Sequence, residues 1–218
     1  MKAVILDFNG TMLFDTELHA RAWSEIYRQL HPEDTKPLDT AVVCGPNNDA
    51  ILKVMAPWLT PAQRMEWSEK KEALYRNISK SEVEPLQLVK GTEAFLRYLQ
   101  ENGIPYGLAS ASIASNIDFY FETYGLDRWF DKNQVVYDDG TYPNKGAMHL
   151  ETARRLGVDI RQCLLIEDSA GSIAFAKQNG AGSIVAIGSS APMDRLFDAG
   201  ADYYVKDFSE FDCAWLQF

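Results

Sequence analysis

Short apolar segments that alternate with amphipathic helical patterns are the feature that most constrains the fold of this chain. From residue 85 onward, each apolar segment ends in a polar or glycine-containing turn before the next helical pattern begins. Strands separated by helices predict an α/β fold, a doubly wound, Rossmann-like parallel sheet. The predicted strands are 3–6, 105–109, 134–137, 163–166, 183–187 and 203–205.

The interval between the first and second predicted strands contains helical patterns alone. Residues 15–84 hold three such segments, 15–30, 48–56 and 61–78, and no strand pattern separates them. So long a strand-free interval is unusual for a plain crossover between parallel strands. We therefore predict a Rossmann-like core made of residues 1–14 and 85–218, with residues 15–84 inserted as a helical cap.

Charge and composition exclude several classes of function. The 218 residues include 31 acidic and 21 basic side chains, for a net charge of -10, which argues against binding nucleic acid or an anionic membrane surface. No apolar run approaches the ~18 residues of a membrane span, and no signal-peptide pattern is present. Three widely spaced cysteines favour a reducing compartment. We expect a cytoplasmic monomer whose partner is a small molecule.

Polar side chains follow three of the predicted strands at their carboxyl ends. In an open parallel sheet, ligands bind at this edge. Each residue alone has an ordinary interpretation as a turn or capping residue, but their coincidence at three strand ends favours a shared site. Such oxygens suit a hard cation, with one carboxylate left as a nucleophile. The residues are Asp7, Asn9, Ser110, Glu167 and Asp168, joined by Lys145 at the start of a predicted helix.

These segments resemble the motifs of the haloacid dehalogenase-like hydrolase superfamily. The resemblance extends over essentially the whole chain and is greatest to the β-phosphoglucomutase and small-phosphatase branch, which carries a helical cap after the first strand. The segments are Asp7-Phe8-Asn9-Gly10-Thr11, Leu108-Ala109-Ser110-Ala111-Ser112 and Ile166-Glu167-Asp168-Ser169-Ala170-Gly171.

The resemblance implies a role for each residue of the predicted site. Asp7 would be the nucleophile that attacks phosphorus and forms an aspartyl-phosphate. Mg²⁺ would bind Asp7, the backbone carbonyl of Asn9 and Asp168, with Glu167 in or beside that shell. Ser110 would hydrogen-bond a phosphoryl oxygen, and Lys145 would neutralise its charge. The substrate would also contact Gly10, Thr11, His19, Lys71, Ala111 and Ser112. His19 is equally well interpreted as a residue on the surface of its helix.

Asn9 departs from the family pattern, which has a second aspartate there as general acid and base. A carboxamide can neither donate a proton as a general acid nor accept one as a general base. Loss of a general acid and base typically costs ~10²–10⁴ in rate. Three explanations stay open. The residue is a deliberate substitution, or the substrates have good leaving groups such as acyl phosphates, or the protein is a slow or non-catalytic relative that binds phosphorylated ligands.

Two further departures bear on the substrate. Lys145 stands in a shifted register relative to the lysine of the mutase branch, and the segment Cys44-Gly45-Pro46-Asn47-Asn48 has no arginine where mutases grip a distal phosphate. We therefore favour hydrolysis of a small phosphorylated metabolite. The alternatives are a sugar-phosphate mutase of the β-phosphoglucomutase type or a catalytically weak phosphate-ligand-binding relative. His31 and His149 are interpreted as surface or packing residues.

Overall fold

The chain divides into two compact units. The computed structural model describes residues 1–39, 43, 47–188 and 191–216. One unit, here called the core unit, consists of Met1–Phe14 and Gln87–Phe218, and the other, the helical insert, consists of Asp15–Leu86. Cys44, Gly45 and Pro46 of the segment discussed above lie outside the described residues.

A parallel sheet forms the centre of the core unit. Its strands are β1 Ala3–Leu6, β2 Tyr106–Ile113, β3 Val136–Asp138, β4 Cys163–Glu167, β5 Ser183–Ile187 and β6 Tyr203–Val205. They lie in the order β3-β2-β1-β4-β5-β6, and all neighbouring pairs are parallel. The doubly wound α/β fold predicted from the alternation is therefore confirmed.

The helices of the core unit connect these strands. They are α4 Thr92–Glu101, α5 Ala114–Tyr124, α6 Lys145–Arg155, α7 Ala170–Gln178 and α8 Met193–Asp198. The central strands β1, β4 and β5 are buried along their full length, which explains why their sequences are continuous apolar runs rather than alternating ones. Their side chains form one apolar core that includes Ile5, Leu165 and Ile184.

Strand β2 continues past the residue at which the sequence pattern predicts its end. It runs to Ile113 rather than to Ala109, and its register against β3 shifts between Ser110 and Ile113. Such an irregularity re-aims side chains and is common next to active sites. Here it occurs at the carboxyl end of the strand, in the segment that holds Ser110 and Ser112.

The helical insert contains α1 Thr16–Leu30, α2 Asn48–Met55 and α3 Pro61–Ser81. Apolar side chains of α1 and α2, including Trp23, Ile26 and Leu52, form a separate small core. Helix α3 begins with a capping box between Thr60 and Gln63. Among the described residues, no helix is both long enough and apolar enough to cross a membrane.

Candidate active site

Three carboxylates converge at the carboxyl edge of the sheet. Asp7 follows β1, Glu167 ends the neighbouring strand β4, and Asp168 comes next in the chain. All three are buried, and one carboxylate oxygen from each lies within 4.8 Å of the others. The parallel pairing of β1 with β4 produces this arrangement, because it places the ends of both strands at the same edge.

Lys145 brings a positive charge to this acidic cluster. It is the first residue of α6, and the Asn144 side chain accepts a hydrogen bond from the backbone N–H of Ala147 and so caps the helix there. The Lys145 ammonium donates to Asp7 Oδ1 and lies 3.6 Å from Glu167 Oε1. The cap on α6 therefore positions the lysine against the predicted nucleophile.

Burial and mutual proximity shift the protonation equilibria of these groups. Burial raises the pKa of Asp7 above its usual range; Lys145 opposes that rise, and the Glu167 carboxylate adds to it. Burial alone would raise the pKa of Glu167, but Lys145 and the hydrogen bond from His149 bring it below its usual range. Burial would lower the pKa of Lys145, but the carboxylates of Asp7 and Glu167 raise it.

The donor set fits a divalent cation. Among the described residues, three carboxylates lie with the Lys145 ammonium, so this group carries more negative than positive charge. Mg²⁺ prefers oxygen ligands and commonly binds through one or two carboxylates together with substrate phosphate oxygens. Asp7, Glu167 and Asp168 supply such oxygens close enough together to share one ion.

The side chain of Asn9 is held at both ends by hydrogen bonds. Its Nδ2 donates to the Tyr120 hydroxyl at 2.8 Å, and its Oδ1 accepts from Ser112 Oγ at 2.8 Å. Tyr120 is fully buried and also accepts from Asn116 Nδ2 at 3.3 Å. The carboxamide therefore fits its surroundings, with an acceptor at its nitrogen and a donor at its oxygen.

Other predicted residues of the core unit lie in the same region. Thr11 is fully buried, and its hydroxyl donates to Asp7 Oδ2 at 3.3 Å, so it contacts the predicted nucleophile directly. Ser110 is also fully buried, and its Oγ accepts from the backbone N–H of Ser112 at 3.2 Å. Gly10 has a φ of 76°, a conformation that favours glycine, in the turn that follows β1.

His19 and Lys71 belong to the helical insert, where they meet each other. Lys71 is 2% exposed, and its ammonium lies 2.6 Å from His19 Nδ1 and 2.8 Å from Glu72 Oε1. His19 stacks on Tyr75 and lies 3.2 Å from Asp15. Contact of His19 and Lys71 with substrate stays a prediction.

Asp15 stands at the helix start that the sequence predicts, yet its side chain does not cap α1. No side-chain capping bond is formed there, and its carboxylate accepts a hydrogen bond from the Tyr75 hydroxyl at 2.5 Å. Asp15 thus joins α1 to α3 within the insert.

His149 was not predicted to belong to the site. It is fully buried, in agreement with a packing residue, and its Nε2 lies 2.7 Å from Glu167 Oε1, a contact that the sequence interpretation did not include. The available signal was its spacing of four residues from Lys145, which places both side chains on one face of α6. His31, by contrast, lies in the insert and bonds the Met55 carbonyl.

A doubly wound sheet with buried carboxylates and a lysine at its carboxyl edge is an architecture of α/β enzymes. A family model described as haloacid dehalogenase-like hydrolase matches residues 1–180 of the chain. The chain belongs to this family, and the resemblance found in its motifs is confirmed.

The relatives of the chain include both phosphatases and mutases. It is 26% identical over 219 residues to β-phosphoglucomutase of Bacillus subtilis (strain 168), covering 96% of this chain and 91% of that protein. It is 26% identical over 198 residues to hexitol phosphatase B of Escherichia coli (strain K12), covering 89% and 87%. These relatives support a phosphatase-like or phosphoglucomutase-like enzyme.

A solved structure resembles the whole chain. The HAD hydrolase, family IA, variant 3, of Entamoeba histolytica HM-1:IMSS matches with a TM-score of 0.88 and 28% sequence identity, covering 99% of this chain and 97% of that one. The likeness extends through the helical insert as well as the core unit, because nearly all residues of both chains are matched.

Proposed function

We propose that the protein is a Mg²⁺-dependent phosphatase that hydrolyses a small phosphorylated metabolite through an aspartyl-phosphate on Asp7. The observation that carries this proposal is the position of Asp7 at the end of β1, bonded by Lys145 and within reach of Glu167 and Asp168. Phosphoryl transfer requires positioning and stabilisation of charge, and a buried carboxylate beside an ammonium in a site that suits Mg²⁺ offers both.

Each residue of the site would have a distinct role in the reaction. Asp7, Asp168 and the Asn9 carbonyl would hold Mg²⁺, with Glu167 beside them, and the bound cation would offset negative charge on the phosphoryl oxygens. A carboxylate oxygen of Asp7 attacks phosphorus as the bond from phosphorus to the leaving oxygen breaks. Lys145 balances charge on the transferred group. Water then attacks phosphorus, releasing phosphate and restoring the Asp7 carboxylate.

Asn9 limits the leaving groups that this site can handle. Its amide can donate a hydrogen bond but cannot transfer a proton, and both of its ends are already engaged by Tyr120 and Ser112. The leaving oxygen must therefore depart without help from a carboxylic acid at this position. Acyl and aryl phosphates, which have good leaving groups, should react faster than alkyl phosphates.

The pairing of Lys71 within the helical insert favours hydrolysis over the mutase alternative. A sugar-phosphate mutase must bind a second phosphate, which calls for an additional positive group. The buried ammonium of Lys71 is paired with the Glu72 carboxylate at 2.8 Å, so its charge is offset within the insert.

The test compares the parent protein with Asp7→Asn and Asn9→Asp. Mg²⁺-dependent phosphate release is measured with acetyl phosphate, p-nitrophenyl phosphate and a panel of sugar phosphates. We expect Asp7→Asn to be inactive and Asn9→Asp to raise turnover of the alkyl esters ~10²–10⁴-fold, with a smaller gain on acetyl phosphate. Asp159→Asn, which changes an exposed carboxylate paired with Arg161, is the control and should behave as the parent.

Three results would contradict the proposal. Retained activity in Asp7→Asn would place the nucleophile elsewhere. Isomerisation of a sugar phosphate that depends on a bisphosphate activator would support the mutase. Tight binding of phosphorylated ligands without turnover, by the parent and by Asn9→Asp alike, would support a binding protein.

A further inference from the structure

His149 is a buried imidazole that the mechanism above does not use. Its Nε2 lies 2.7 Å from Glu167 Oε1, whereas its Nδ1 is buried and has no hydrogen-bond partner within the described part of the chain. A buried polar atom without a partner destabilises the folded state, and an apolar side chain of similar size would avoid that penalty. The bond to Glu167 is therefore the interaction that sets this residue apart from ordinary core packing.

The surroundings of His149 define the hydrogen-bonding role of its Nε2 atom. Glu167 Oε1 is an acceptor, so Nε2 must carry a hydrogen to donate to it. Nδ1 has no acceptor among the described residues, so the bond to Glu167 is the one in which the ring donates. His149 consequently acts as a fixed donor to one oxygen of Glu167.

Helix α6 holds two of the three clustered carboxylates through side chains one turn apart. Lys145 donates to Asp7, and His149, four residues later on the same face, donates to Glu167. Holding one oxygen of a carboxylate restricts rotation of the group and so limits where the other oxygen can lie. The pairing of β1 with β4 brings Asp7 and Glu167 together, and helix α6 restricts the orientation of their carboxylates.

We propose that His149 is a positioning residue that orients the Glu167 carboxylate for binding of a divalent cation. This inference rests on the proposed use of a cation at the site, but it concerns affinity for the ion rather than turnover. Residues that hydrogen-bond a metal ligand commonly change metal affinity 10–100-fold when they are replaced. We expect an effect of that size, ~10–100-fold, for loss of the His149 donor.

The test measures binding of Mg²⁺ and Mn²⁺ alone, by titration calorimetry and by the Mn²⁺ spin resonance signal, without substrate. His149→Leu removes the donor, and His149→Gln offers an amide N–H near the place of Nε2. We expect His149→Leu to weaken binding ~10–100-fold. Its melting temperature in chelator should also fall, because Glu167 Oε1 loses a buried hydrogen-bond donor. The affinity of His149→Gln for the cation should lie within a few-fold of that of the parent. The control His31→Gln, in the insert, should have the affinity of the parent.

If His149→Leu does not fold, His149→Met is compared in the parent and in a Glu167→Gln background. In a Glu167→Gln background, His149→Met should cause no further loss of cation affinity, because the carboxylate that the imidazole orients is gone. Parent-like affinity in His149→Leu, or equal losses with and without the Glu167 carboxylate, would overturn the proposal. Because no substrate is used, failure of the proposed phosphatase activity leaves this result interpretable.

Discussion

Lys145 is the residue on which the acidic cluster most depends when no cation is bound. Its side chain is 8% exposed, and its ammonium contacts both Asp7 and Glu167. Removing one partner of a buried ion pair leaves an uncompensated charge and typically costs about 3–5 kcal/mol. We predict that Lys145→Met lowers the free energy of unfolding by about that amount, measured by urea denaturation in chelator, and that Mg²⁺ restores part of the loss.

Lys132→Met is the matched control for this prediction. The ammonium of Lys132 pairs with Asp118 at the surface, where both side chains are about half exposed. Exposed pairs contribute about 0–1 kcal/mol. Equal losses in the two variants, or no recovery of Lys145→Met by Mg²⁺, would show that Lys145 does not compensate the clustered carboxylates.

Some site residues could be predicted from sequence because a simple rule locates them. Asp7, Glu167 and Asp168 directly follow short apolar strands, and parallel strands bring such residues to one edge. Tyr120 follows no such rule, because which face of its helix meets the site is set by packing that the sequence pattern does not reveal. The position of His149 is indicated only by its spacing of four residues from Lys145.

At the scale of elements, the start of helix α4 depends on a close approach between two backbones. Gly91 has a φ of 86°, and a Cβ there would lie 2.4 Å from the backbone nitrogen of Ser209. A non-glycine residue in this conformation costs roughly 1–2 kcal/mol even without a clash. We predict that Gly91→Ala destabilises the protein by more than ~2 kcal/mol in urea unfolding.

Gly103→Ala distinguishes the cost of the backbone conformation from the cost of the steric clash. Gly103 also has a positive φ of 62°, but a Cβ there meets nothing within 4 Å. The free energy of unfolding of this variant should therefore fall only by the conformational cost, about 1–2 kcal/mol. If the two alanine variants are equally destabilised, the contact with Ser209 is not a constraint.

Within the helical insert, Glu72 links helices α2 and α3 through a buried polar cluster. Burial alone would raise the pKa of Glu72, but Lys71, His19 and the hydrogen bond from Asn48 lower it to about 2. A carboxyl whose folded pKa lies below its unfolded value of about 4.5 stabilises the fold above that value. This stabilisation is lost as the pH falls from about 4.5 toward 2.

Glu72→Gln should therefore be destabilised at pH 7 by a few kcal/mol, on the order of a broken buried pair. The difference from the parent in melting temperature should shrink as the pH falls from 5 toward 2. Glu69→Gln, on the same helix, is the control, because Glu69 is 53% exposed and pairs with Arg76 near the surface. A pH-independent difference for Glu72→Gln would indicate that its charge is not the stabilising feature.

Element boundaries were predictable where apolar periodicity continues to the end and not where it breaks. Strands β5 and β6 have the bounds that the pattern predicts, 183–187 and 203–205. Strand β2 extends four residues past its predicted end, because Ser110-Ala111-Ser112 lacks apolar alternation and is held in the strand by an irregular pairing with β3. That irregularity depends on a neighbouring strand, so the local sequence does not encode it.

At the scale of the whole molecule, the insert leaves and rejoins the core unit at adjacent points. The backbone N–H of Val89 donates to the Met12 carbonyl at 2.9 Å, so the chain returns to the residues from which it departs. Each unit has its own apolar core. The clustered residues Asp7, Lys145 and Glu167 all belong to the core unit.

We predict that a short glycine-serine linker can replace residues 15–86 without loss of the core fold. The shortened chain should unfold cooperatively by circular dichroism and bind Mg²⁺ as the full chain does, because its acidic cluster is intact. It should still hydrolyse acetyl phosphate. The ratios of kcat/KM across the sugar phosphates should fall toward one, because His19 and Lys71, the residues of the insert that are predicted to contact the substrate, are removed. Asp7→Asn in the shortened chain should abolish the activity. An unchanged substrate ranking would place specificity in the core unit, and a non-cooperative transition would show that the core unit needs the insert to fold.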